Sequence, residues 1–161
     1  MLGQLAYYVR GIEKLTLLKP TRVHIEAPGR DIDEEIMLFL VANSNSVAGF
    51  ERLAPYAKMN DGYFDVLVVK KTTLTEVIKL ATAVLRDEHI NDPRVIYFQA
   101  PELRVSSRHS VMVNLDGELG GELPCTFTVL HQHITVMAPP QGMANRAPRD
   151  FPLLALGQVE E

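Results

Sequence analysis

Two short acidic segments hold the residue types that could do chemistry. Asp116-Gly117-Glu118 places two carboxylates two residues apart at the end of an apolar run, Val111 to Leu115. If extended geometry carries through, both side chains project from one face, and a carboxylate so placed can take the proton of an attacking hydroxyl. Gly117 permits a sharp turn or the close approach of a ligand. The same residues followed by Gly120-Gly121 also read as an exposed hairpin, and both readings stand. The second segment is Lys58-Met59-Asn60-Asp61-Gly62-Tyr63. An aspartate in a tight turn can join its carboxylate to nearby backbone carbonyls around a hard cation, with waters completing the shell. It can equally form an Asx turn, in which Asp61 bonds its own backbone and Gly62 supplies a positive φ. Asp65 is close by in sequence, but alternation puts it on a different face from Phe64, which makes it a weaker candidate. Together the two acidic turns could line one cleft.

Other reactive residue types carry less. His131 and His133 stand two apart without a third ligand, so they read as a structural pair rather than a zinc site. His24, His89 and His109 suggest surface or capping roles. The single cysteine, Cys125, excludes an internal disulfide, reads as a buried or half-buried thiol, and suits a reducing compartment.

The elements that must position the acidic turns follow from periodicity. Leu5, Val9, Ile12 and Leu15 form a 3.6-residue stripe, predicting an amphipathic helix over residues 2–18, stopped by Pro20. Thr21 to Ala27 alternates as a half-buried strand, and Pro28-Gly29-Arg30-Asp31 turns the chain. Ile36 to Ala42 is apolar throughout, predicting a strand at the sheet centre covered on both faces. Phe64 to Val69 gives another strand. Thr73-Leu74-Thr75-Glu76 is a capping-box sequence opening a second helix, expected to end near Ile90. Short strands are then expected at Val95 to Gln99, Leu103 to Ser106, Val111 to Leu115, Cys125 to Leu130 and Ile134 to Met137. Many short strands with few helices predict a mainly β fold with flanking helices (α+β), built as a two-layer antiparallel β-sandwich.

Composition narrows the function classes. A chain of 161 residues with 47 % apolar content bounds one globular domain with a sizeable core. A net charge of -4 with no basic stripe argues against nucleic acid. No secretory leader opens the chain, and no apolar run approaches the roughly 20 residues that span a bilayer, so any membrane contact is expected to be peripheral.

The block from Asn43 to Asp65, Asn-Ser-Asn-Ser-Val-Ala-Gly-Phe-Glu-Arg-Leu-Ala-Pro-Tyr-Ala-Lys-Met-Asn-Asp-Gly-Tyr-Phe-Asp, and Leu115-Asp116-Gly117-Glu118 carry a resemblance. So do Leu5-Ala6-Tyr7-Tyr8-Val9-Arg10-Gly11-Ile12, Glu35 to Val41, Asp87-Glu88-His89-Ile90-Asn91-Asp92 and His131-Gln132-His133-Ile134. Over residues 2–138 the chain resembles the carboxy-terminal domain of the soluble bacterial diacylglycerol kinases, in the superfamily that includes the sphingosine and NAD kinases. The resemblance implies a β-sandwich-like lobe over 21–138, entered by a helix over 1–20 and left by a tail, 139–161, that returns to an amino-terminal nucleotide domain. That domain carries a Gly-Gly-Asp-Gly-Thr phosphate loop, which this sequence lacks. By resemblance Glu118 is the general base and Asp116 orients the acceptor or helps organise the metal-nucleotide complex. Asp61, with the carbonyls of Lys58 and Tyr63, would hold a structural Mg2+. The implied co-substrate is ATP, the acceptor diacylglycerol, and the setting the cytoplasm with peripheral membrane contact. A run of three glycines that many relatives in the wider superfamily carry is reduced to one at Val47-Ala48-Gly49-Phe50. Alternative readings are a non-catalytic lipid-binding or self-association module, forming a homodimer through a sheet edge or the tail, and a kinase for another lipid or a sphingoid base.

Overall fold

A computed structural model of the chain describes residues 19–45, 53–84, 86–135 and 137. The expected first helix, the Val47 to Phe50 loop and the tail from 139 lie outside the described residues. Among the described residues eight strands and one helix follow in order: β1 Thr21–Ala27, β2 Arg30–Ala42, β3 Phe64–Lys70, α1 Leu74–Val84, β4 Val95–Ala100, β5 Glu102–Ser107, β6 Met112–Leu115, β7 Glu118–Glu122 and β8 Cys125–Thr128. A 3₁₀ turn, His89–Asn91, separates α1 from β4. Six strands form one antiparallel sheet in the order β4-β3-β2-β1-β5-β8, and β6 pairs with β7 as a separate ribbon.

The sheet makes two layers because β2 serves both. Its first part, Arg30 to Ile36, pairs with β1, and its second, Ile36 to Ala42, pairs with β3. A bulge interrupts the register between Ile36 and Leu38, and such an extra residue bends a strand and sharpens its twist. It also switches which residues face inward. Ile32 and Ile36 face the main core before the bulge, and Phe39 and Val41 after it. The two halves close over a shared core of Val23 and Ile25 from β1, Val66 and Val68 from β3, Phe98 and Ala100 from β4, and Leu103 and Val105 from β5. Contacts between strands that are not neighbours confirm the closure: Phe39 on β2 meets Phe127 on β8 edge to face at 6.4 Å, and Arg30 lies 5.0 Å over the Phe98 ring. This is the expected mainly β, two-layer antiparallel architecture. The expectation that β2 is covered on both faces holds only in part, because Leu38 is 39 % exposed.

The outer face of β3 and β4 carries α1. Leu80 packs on Leu67, Val69 and Val95, with Met37, Leu40 and Tyr97 around them. At the start of α1 the Glu76 carboxylate accepts the Thr73 N–H at 3.2 Å and the Thr73 hydroxyl at 3.1 Å, so half of the capping box forms. A bond from the Thr72 hydroxyl, and then these two from Thr73, hold the Glu76 carboxyl below its usual range. The helix ends at Val84 rather than near Ile90. Asp87 takes a positive φ of 59, the Glu88 N–H bonds the Ala83 carbonyl at 3.0 Å, and the Asp87 N–H bonds that of Val84 at 3.2 Å. That is a Schellman stop with aspartate where glycine is usual. The chain then doubles back, and Asp92 holds the turn into β4 by accepting from Arg94 at its backbone N–H (2.9 Å) and Nε (2.7 Å).

Two further expectations fail. Ile134, Thr135 and Met137 are not in a strand. Conversely, Glu118–Glu122 is a strand, although its Gly120-Gly121 pair reads as turn sequence.

Candidate active site: two acidic turns

The Asp116-Gly117-Glu118 segment is the tip of the β6–β7 ribbon. Leu115 pairs with Glu118 across a two-residue loop in which Asp116 and Gly117 have φ of 52 and 101. Both central residues at positive φ define a type I′ hairpin turn, for which Asp-Gly is a preferred sequence. The Gly117 N–H donates to the Asn114 side chain at 2.9 Å and fixes the loop. The expectation that extended geometry projects both carboxylates from one face is therefore corrected: Asp116 belongs to the turn and Glu118 begins the return strand. Val113 and Leu123, both buried in the main core, root the ribbon. From Asn114 to Glu122 every residue is exposed. Among the described residues the side-chain carboxylates of Asp116 and Glu118 have no hydrogen-bond or ion-pair partner, so both are open to a ligand.

The Lys58 to Tyr63 loop enters β3. Asp61 Oδ1 accepts the Tyr63 N–H at 3.0 Å, and Gly62 has φ +81, so the Asx turn forms. This does not exhaust the carboxylate, which has a second oxygen. Among the described residues no loop hydrogen bond engages the carbonyl of Lys58 or of Tyr63. A carboxylate oxygen and two carbonyls are an all-oxygen donor set, which suits Mg2+ completed by water. The residues fit the ion. His131, expected as half of a structural pair, packs against this loop. A Cβ at Gly62 would lie 2.7 Å from its Nδ1. No group of three or more His, Cys, Asp or Glu suited to a metal occurs among the described residues.

The two acidic turns sit on different substructures, one on the ribbon and one at the mouth of β3. No hydrogen bond among the described residues joins them. A surface depression of about 410 Å3 lies away from both, lined by Glu26, Pro28, Glu102 and Arg104 among others.

Sequence reading missed a polar cluster behind the second turn. Asp65 is fully buried and accepts the Tyr97 hydroxyl and the Gln99 amide, at 3.2 Å to Oδ1 and 3.1 Å to Oδ2. The cross-strand register puts these groups on one face, with Asp65 opposite Gln99 and Leu67 opposite Tyr97. Burial, then the bond to Asp65, pushes the Tyr97 hydroxyl well above its usual pKa. His89, read as a surface or capping residue, is 1 % exposed, with Nε2 2.9 Å from the Leu53 carbonyl. Cys125 is half-buried, and desolvation raises its thiol, as suits a structural cysteine.

Comparison with known proteins gives these turns a context. Residues 1–138 match the family described as YegS C-terminal NAD kinase beta sandwich-like domain. The chain is 52 % identical over 139 residues to a diacylglycerol kinase of Bacillus subtilis strain 168, covering 86 % of this chain and 46 % of the relative. It is 44 % identical over 137 residues to a diacylglycerol kinase of Staphylococcus carnosus strain TM300, covering 85 % and 45 %. A solved structure of a provisionally assigned diacylglycerol kinase from Bacillus anthracis superposes with a TM-score of 0.67 at 25 % identity, over 81 % of this chain and 45 % of that one. The chain spans about half the length of the curated relatives it matches. No helix among the described residues is long and apolar enough to cross a membrane. The chain therefore belongs to the family of the NAD-kinase-like, β-sandwich carboxy-terminal domain, whose relatives here are named diacylglycerol kinases.

Proposed function

We propose that this chain is the lipid-side lobe of an ATP-dependent kinase that phosphorylates diacylglycerol to phosphatidic acid, completed by a nucleotide domain, and that the lobe alone is inactive. The observation that carries the reading is the 52 % identity to a diacylglycerol kinase across nearly all of the folded domain, together with Glu118 exposed at the tip of the β6–β7 hairpin. Phosphoryl transfer needs mainly positioning and charge neutralisation, with a base to guide the attacking hydroxyl. Glu118 takes the proton of the acceptor hydroxyl as its oxygen bonds the γ-phosphorus. The bond from that phosphorus to the bridging oxygen breaks, and the electrons leave with ADP. Asp116, two residues earlier in the turn, orients the acceptor or helps organise the metal-nucleotide complex. Mg2+ at Asp61, with the Lys58 and Tyr63 carbonyls, would stiffen the loop into β3, while Mg2+ carried with ATP neutralises phosphate charge that these carboxylates would otherwise repel. The protein works in the cytoplasm, with peripheral membrane contact during turnover.

The test replaces the matching region of the Bacillus subtilis relative with this chain and measures phosphate transfer from ATP to diacylglycerol in mixed micelles. Glu118→Gln is expected to lower kcat by about 10²- to 10⁴-fold with little change in KM. A chimera that keeps full activity with Glu118→Gln would falsify the assignment of the base. Transfer by the isolated chain above background would refute the claim that it is inactive alone.

A further inference from the structure

The motif Asp87-Glu88-His89-Ile90-Asn91-Asp92 has no part in the chemistry above, yet the fold gives it a specific task. The left-handed Asp87 ends α1 and turns the chain inward, which buries His89 beneath the β2–β3 loop. There Nε2 faces the Leu53 carbonyl at 2.9 Å, so the ring nitrogen donates and the carbonyl accepts. With the proton on Nε2, Nδ1 is a bare acceptor, buried and without a partner among the described residues. A second fixed point lies a few residues along the same loop. The Tyr97 hydroxyl donates to buried Asp65, and the Tyr56 ring meets the Tyr97 ring edge to face at 5.9 Å. Between the two points Ala54 is fully buried, and the Ala57 N–H closes a turn on the Ala54 carbonyl at 3.0 Å. Leu53 to Ala57 is thus held from beneath by a hydrogen bond at Leu53 and a ring contact at Tyr56, and the Asp61 turn begins one residue later, at Lys58.

We propose that His89 and the Asp65–Tyr97 pair are positioning residues for the β2–β3 loop: they clamp Leu53–Ala57 to the sheet, and the oxygen donors around Asp61 take their geometry from that clamp. The second half of this statement rests on the cation reading of the Asp61 turn. The clamp itself does not. His89→Leu removes the donor to the Leu53 carbonyl, Tyr97→Phe removes only the hydroxyl that anchors the ring under Tyr56 to Asp65, and His89→Gln restores a donor.

The experiment measures amide hydrogen exchange and Mg2+ affinity, by titration calorimetry with MgCl2, on this chain. His89→Leu and Tyr97→Phe are each expected to speed exchange at Leu53–Ala57 about tenfold or more, with the β1 and β5 amides unchanged and His89→Gln close to wild type. Mg2+ affinity is expected to fall about tenfold in the two clamp variants, the scale seen when groups that orient metal ligands are lost, and to vanish in Asp61→Asn. Should His89→Leu fail to fold, Tyr97→Phe carries the same test. Unchanged exchange at Leu53–Ala57 overturns the clamp. Faster exchange with Mg2+ affinity unchanged overturns the positioning role. Binding that survives Asp61→Asn overturns the cation reading, while the exchange data still decide the clamp.

Discussion

Gly62→Ala separates two physical reasons for a glycine at the second acidic turn. The first is backbone strain. Gly62 has φ +81, a conformation that costs a residue with a Cβ about 1–2 kcal/mol. The second is steric, because the new Cβ would sit 2.7 Å from His131 Nδ1. His131 is an exposed side chain near the end of the described chain, so it can swing away, losing only a surface contact of a few tenths of a kcal/mol. Strain should therefore dominate. Gly62→Ala is expected to destabilise by about 1–2 kcal/mol, His131→Ala alone by less than about 0.5 kcal/mol, and the double variant by nearly the sum of the two. For a domain of this size that is a fall in Tm of roughly 3–8 °C for Gly62→Ala. Urea titration with an unchanged m-value, cross-checked by calorimetry, measures it. If His131→Ala restores most of the stability lost in Gly62→Ala, the clash was the larger effect and the reasoning from strain is wrong.

Two other outcomes follow from the packing and the charge pattern. The bond from Arg94 draws the Asp92 carboxyl down to about 2, from 3.8. A folded-state value below the unfolded one adds stability that is present above pH 3.8 and lost as the pH falls toward 2. The Asp92→Asn variant should lack that portion of the acid-unfolding curve, and equal curves for the two proteins between pH 4 and 2 would sink the claim. Ile25 has no exposed surface and sits where both layers meet. Ile25→Ala should cost about 2–5 kcal/mol by chemical denaturation, and a loss under 1 kcal/mol would mean that the core can collapse around the cavity.

Much of the architecture was legible because alternation and turn residues report burial directly. β1 matches its alternating pattern to the residue, and β3, β4, β5 and β8 lie within one or two residues of their expected ends. The misses have causes. Gly120-Gly121 hid β7, since strand pairing across the ribbon outweighs the low strand preference of glycine. Apolar residues as far as Ile90 kept the helical period going, so the stop at Val84, set by Asp87 at positive φ, left no signal in periodicity. Ile134 to Met137 alternates but finds no neighbouring strand. Within the candidate site, Asp-Gly correctly announced both turns, because that dipeptide tolerates positive φ. Nothing local announces that His89 and Asp65 are buried. Polar residues are expected outside, and their burial depends on partners at Leu53, Tyr97 and Gln99 that only the fold brings near.

The bulge in β2 sets which changes of chain length the strand can absorb. Because Met37 is a surplus residue between Ile36 and Leu38, removing it would restore plain alternation while Phe39 and Val41 still point inward. Removing Leu40 instead would invert every later side chain up to the pairing of Ala42 with Asp65. A single codon deletion is thus tolerable at one point of this strand and ruinous three residues on, and even at Met37 it would trade away the bend that folds one sheet into two layers.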